Sequence, residues 1–164
     1  MRYILRQREV QPDPWHYLEE PHPAGAALIV PAAQLRRENE RWWAWGGRLG
    51  VRFAPSERVE ELEPDLRRLD LVAIAFPVFG DGRGFSQVRL LRERYGFGGE
   101  VRAIGAGVTP EVAQLLARCG ADAFELAAPE QAHALRAAFA RYEVAYQPGA
   151  PALALRLQRF RLPA

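Results

Sequence analysis

The chain has 164 residues, 49% hydrophobic and 26% charged, with a formal net charge of +2 at pH 7. Those proportions suit one globular domain with a proper core, and so small a net charge gives no footprint for nucleic acid. All 22 basic residues are arginine. Schiff-base catalysis, covalently held pyridoxal phosphate and a P-loop, which each need a lysine, are therefore excluded, whereas planar guanidinium forks for carboxylates and other anions abound. Cys119 is the single cysteine, which removes disulfide frameworks and four-thiolate clusters. His16, His22 and His133 are scattered, never at the i, i+4 spacing of a helical metal pair. No apolar stretch approaches the roughly 20 residues that span a bilayer, and the start, Met1 to Arg6, lacks a signal-peptide core. A cytoplasmic protein without membrane association is the expectation.

Tyr3 to Val10 mixes apolar residues and arginines, as a strand or edge ribbon would. Pro12, Pro14, Pro21 and Pro23 make Gln11 to Gly25 irregular, so residues 1–25 form an irregular N-terminal segment anchored by Trp15 and Tyr17. Ala26 to Val30 reads as a short strand, and Pro31 opens a helix over Ala32 to Ala44. Trp42, Trp43 and Trp45 close that helix before Gly46-Gly47, with at least one of them in the core and an interface role open to the cluster. Leu49 to Phe53 is the next strand. Val59, Leu62, Leu66 and Leu69 carry a helical stripe interrupted by Pro64.

Leu71 to Phe76 is a continuous apolar run, a strand buried on both faces. A glycine loop and a helix from Phe85 to Tyr95 follow. Glu100 to Gly105 is a further strand, and Thr109 caps a helix whose first residue is Pro110 and whose stop is Gly120. Ala123 to Leu126 and a last helix from Pro129, with Ala132, Leu135, Phe139 and Tyr142 as its stripe, complete the series. Five β-then-α units from residue 26 predict a single α/β domain, a three-layer β/α repeat with a mostly parallel sheet of about five strands. Flavodoxin-like or Rossmann-like winding fits the length; a partial (β/α) barrel-like arrangement is the alternative. The tail, residues 147–164, alternates like a strand and could pair with Tyr3 to Val10 or a second subunit.

Ligands of open α/β sheets bind beyond the carboxyl ends of the strands, which singles out the loop after Phe76. Gly80, Gly82 and Gly84 let backbone amides approach a ligand, Arg83 adds a full charge, and Ser86 is placed to cap the helix behind. Asp81 opposes simple phosphate binding, and its pairing with Arg83 would merely hold the loop's shape. Glu111, at the next strand's exit, supplies a nearby carboxylate. The glycine spacing is not that of a dinucleotide fingerprint. No cofactor motif is recognisable, no metal site can be assembled, and no catalytic residue can be assigned. Cys119, at a helix carboxyl end, reads as structural.

Leu71 to Pro77, Asp81 to Ser86 and Arg89 to Arg94, with Arg118 to Phe124 as a second block and Gly50-Val51 as an earlier strand, resemble an uncharacterised bacterial family of unknown function. Its members carry a putative-oxidoreductase label and are commonly encoded beside the assimilatory sulfite or nitrite reductase haemoprotein. The resemblance covers about residues 45 to 126, and departs from the family at Gly105-Ala106-Gly107, where an aspartate is usual. It implies an accessory protein of assimilatory sulfite reduction, acting through an anion- or partner-binding loop at the sheet's C-terminal edge, with the reductase haemoprotein or a small anion as partner. The alternatives are a small enzyme using Asp81, Arg83 and Glu111 on an anionic metabolite, and a homodimerisation module built on the tryptophans and the tail.

Overall fold

The five strands of the repeat all form, and they lie side by side in chain order. The computed structural model describes residues 2–141. Its strands are β1 (Tyr3–Arg6), β2 (Glu9–Pro12), β3 (His16–Tyr17), β4 (Leu28–Pro31), β5 (Leu49–Phe53), β6 (Leu71–Ala75), β7 (Glu100–Ile104) and β8 (Ala123–Leu126). Its helices are α1 (Ala32–Arg37), α2 (Asn39–Trp43), α3 (Arg83–Glu93), α4 (Pro110–Cys119) and α5 (Gln131–Arg141), with a 3-10 helix over Val59–Arg68. The sheet order is β2-β1-β8-β7-β6-β5-β4-β3, parallel from β3 to β8, with β1 antiparallel to β8. The single-domain α/β reading with a mostly parallel sheet holds. The order never reverses, however, so the winding is not that of a flavodoxin or Rossmann sheet but that of the partial-barrel alternative, a curled half-barrel.

Successive right-handed crossovers without a reversal put the helices on one face. There Leu35, Val88, Leu116 and Leu135 join Val51, Phe53, Val72, Ile74, Val101 and Phe124 in one apolar cluster. Alternation sends the remaining strand residues to the inner face, where Leu71, Ala73, Ile29 and Ile104 pack around Trp15. Arg102 also faces inward, between Ala73 on β6 and Ala123 on β8, two small neighbours that leave room for its length.

Several local expectations are revised. Tyr3 to Val10, read as a strand or edge ribbon within the irregular N-terminal segment, forms most of the β1–β2 hairpin, whose turn residues Gln7 and Arg8 adopt φ 51° and 65°, the left-handed pair that a two-residue hairpin turn demands. The single helix expected over Ala32 to Ala44 breaks at Glu38, where φ is −124° and ψ 38°. The three tryptophans are spent within the chain rather than gathered into a patch. Trp42 is buried, Trp43 lies beneath Arg68 at 4.0 Å, and Trp45 Nε1 donates to Ala26 O at 2.9 Å. The tail over residues 147–164 falls outside the described residues, as does Tyr142. The α4 signals behave as read: Thr109 Oγ1 accepts from Val112 N at 3.4 Å, and Gly120 ends the helix at φ 114°.

Gly84, expected as part of a ligand cradle, has a packing role instead. A Cβ there would lie 2.4 Å from the Phe76 ring and 3.0 Å from Ile74, whereas at Gly82 it would meet nothing within 4 Å. Gly84→Ala is accordingly expected to lower stability by roughly 1–3 kcal/mol through overpacking, despite alanine's better helix propensity. Gly82→Ala should leave the urea midpoint nearly unchanged, and equal midpoints for the two variants would contradict the assigned packing.

Candidate functional site

The carboxyl rim of the sheet carries the loop singled out by sequence. β6 delivers buried Phe76, and the chain then turns outward, leaving Val78 60% and Phe79 68% exposed. The next strand's exit loop supports this turn: Phe76 N donates to Ile104 O at 2.7 Å, and Gly107 N donates to Phe76 O at 2.8 Å. Only glycine fits at 105, where φ is 105° and a Cβ would sit 2.6 Å from Phe76 O. The rim therefore brings residues 80–86 and 105–111 to adjoining loops, as two neighbouring parallel strands must.

Their polar side chains do not converge on a reacting centre. Arg83 donates from Nε to Asp81 Oδ1 at 2.9 Å and from Nη2 to Asp81 Oδ2 at 2.7 Å, while its backbone N–H also donates to Oδ1 at 3.2 Å. This fork-to-fork pairing occupies both residues and lowers the Asp81 carboxyl to about 2, a poor base near neutrality. Ser86 does not cap α3; the helix begins at Arg83, two residues earlier than its apolar spacing suggested, with Gly82 at the cap position. Glu111 sits in the first turn of α4, its carboxyl held below the usual range by its own backbone N–H and by Thr109. Gly80 and Gly82 are exposed and open. What the loop offers outward is an apolar tip.

A second constellation, on the inner face, escaped the sequence reading. The Asp13 side chain is fully buried and its Oδ2 accepts from Arg2 Nε at 2.9 Å and from fully buried Arg102 Nη1 at 2.8 Å. Arg102 Nε donates to Glu100 Oε1 at 2.8 Å, and Glu100 pairs on its other side with Arg6. Arg2 also donates to Glu20 and to Trp15 O, each at 2.6 Å. Tyr17 OH donates to Glu125 Oε2 at 2.7 Å; burial first, then the Glu125 charge, pushes the phenol upward so that it remains a donor. Every carboxylate here is committed to a guanidinium, hydroxyl or amide, so the network clasps the N-terminal segment to the sheet. Its sequence signal was the alternation of Glu100 and Arg102 in an otherwise apolar mid-sheet strand, together with Asp13 between two prolines.

Cys119 is half-buried at the end of α4, and burial pushes its thiol up, away from nucleophilic use. Among the described residues no group of three or more His, Cys, Asp or Glu side chains could hold a metal ion, and no helix is long and apolar enough to cross a membrane. A family model described as a bacterial protein of unknown function (DUF934) matches residues 50–154, taking in the carboxyl-rim loops. No curated protein matches the chain.

The Asp81 pair makes a titration test possible. Its folded pKa of about 2 lies below the ordinary 3.8, so its contribution to stability is present above the ordinary value and fades as pH falls through the lower one. Arg83→Gln should bring the Asp81 side-chain carboxyl resonance back toward the ordinary midpoint in an NMR titration. A midpoint that does not move would show that the two side chains are apart in solution.

Proposed function

The chain belongs to this bacterial family of unknown function, and we propose that it serves as a non-catalytic accessory protein of assimilatory sulfite reduction, docking through its carboxyl-rim loop on the sulfite or nitrite reductase haemoprotein. The partner comes from the resemblance carried by Leu71 to Pro77, Asp81 to Ser86 and Arg118 to Phe124. The mode of action rests on one observation. Asp81 and Arg83 satisfy each other at 2.7–2.9 Å, so the loop holds itself in shape while Val78 and Phe79 stand exposed. A rigid loop ending in an exposed aromatic has a low ordering cost on binding, and buried aromatics dominate the energetics of interfaces. The enzyme alternative needs Asp81, Arg83 and Glu111 free and convergent in a concavity. With Arg83 exposed, Asp81 partly buried and the two mutually occupied, the geometry favours docking over catalysis, and over capture of a free anion by Arg83.

Co-purification of the reductase haemoprotein with the full chain tests this reading. Val78→Ser combined with Phe79→Ser removes the apolar tip where neither side chain contributes to the core, so the melting temperature should hold while affinity drops at least about tenfold. Absence of association with the unaltered chain, or undiminished association of the double variant, would overturn it.

A further inference from the structure

At the opposite, amino-terminal rim of the half-barrel lies a cleft of about 750 Å³. It is framed by the end of the 3-10 helix, by the loop between α3 and β7, and by the ends of β1, β5, β6 and β7 that meet there. Its size falls in the range of small-molecule sites, roughly 300–1,000 Å³. Leu66, Leu69 and Phe97 give it apolar wall, and Arg6, Arg48 and Arg67 give it cations.

The carboxylates in the cleft are already committed. Glu100 is shared between Arg6 and Arg102, and Asp70 accepts from Leu49 N through Oδ2 at 3.3 Å. Arg48 forms a loose ion pair with Asp70, Nε to Oδ1 at 3.6 Å and beyond hydrogen-bond range, and its guanidinium lies 4.7 Å over the Trp15 ring. Arg67 is exposed and, among the described residues, engages no ion pair. Arg6 Nε, on the cleft wall, is a buried N–H donor with no acceptor among the described residues, a condition that buried donors seldom tolerate. Burial, followed by repulsion from Arg102 and Arg48, pulls the Arg6 pKa down. Guanidinium groups are thus gathered here with fewer acceptors than donors, beside an apolar wall.

We propose that this cleft binds an organic oxyanion, a metabolite whose phosphate or carboxylate meets Arg48, Arg67 and Arg6 while its carbon skeleton lies against Leu66, Leu69 and Phe97. Guanidinium forks match both oxyanions bidentately, and the apolar wall selects against bare inorganic ions. The site stands on the amino-terminal rim, independent of the docking loop on the other.

Differential scanning fluorimetry and calorimetry of the full chain with inorganic phosphate, phenyl phosphate and benzoate test the proposal. Saturable stabilisation by phenyl phosphate or benzoate, exceeding that by inorganic phosphate, is expected, and the tighter of the two organic probes identifies the oxyanion. Arg67→Gln and Arg48→Gln should each weaken it about tenfold. Arg67→Gln should keep the unliganded melting temperature, because Arg67 supports nothing else, and Arg83→Gln on the far rim should bind as the unaltered chain does. No saturable response to either organic probe, or affinity in Arg67→Gln or Arg48→Gln undiminished from that of the unaltered chain, would overturn the proposal.

Discussion

A single buried carboxylate, Asp13, holds the inner face of this half-barrel together. Both Arg2 and Arg102 donate to its Oδ2, at 2.9 and 2.8 Å, and the Asp13 and Arg102 side chains are wholly withdrawn from solvent. Removing two charges from water costs several kcal/mol per ion, which is recovered only where geometry is good and the other polar atoms are served. Asp13 meets that condition with a further bond from Trp15 N to Oδ1 at 3.2 Å, and Arg102 does so in part through Glu100. A closed (β/α) barrel would fill its interior with side chains from the missing strands. Here Trp15 does so, held in place by the ion pairs beside it.

The same constraint organises the two rims. With the helices on one face and the N-terminal segment clasped to the other, access to the sheet is left at the strand ends. The carboxyl rim, where α/β folds usually bind ligands, carries a loop whose charges are spent on each other and whose apolar tip is free. The strand order contains no switch point to open a crevice there. The amino rim is the reverse case, a cleft rich in guanidinium groups whose acids are already shared. Arg102 and Glu100 connect the clasp to that cleft, since Glu100 bonds Arg102 inward and Arg6 at the rim.

Much of the architecture was legible because it is written in short-range patterns. The run Leu71 to Phe76, the Thr109-Pro110 start and the Gly120 stop each carry their own signal within a few residues. Strand order does not, and the sequence alone left the doubly wound and barrel-like windings both open. The clasp was missed because its partners lie 89 residues apart, Asp13 in a proline-rich stretch and Arg102 in a strand. The loop's place at the carboxyl rim follows from local pattern, but the packing of its residues depends on facts beyond it. Gly84 is small because Phe76 lies under it, and Ser86 lost its capping role because α3 begins at Arg83.

The role of Asp13 as the clasp is tested most directly by a double-mutant cycle in urea, with Asp13→Ala, Arg102→Ala and the two combined. Removing one partner of a buried ion pair costs roughly 3–5 kcal/mol by leaving the other charge uncompensated. The double variant should therefore be destabilised by far less than the sum of the single ones, with a coupling of at least about 2 kcal/mol. Strictly additive losses would contradict the clasp and leave the N-terminal segment held by β1–β8 pairing, Trp15 packing and its remaining polar contacts.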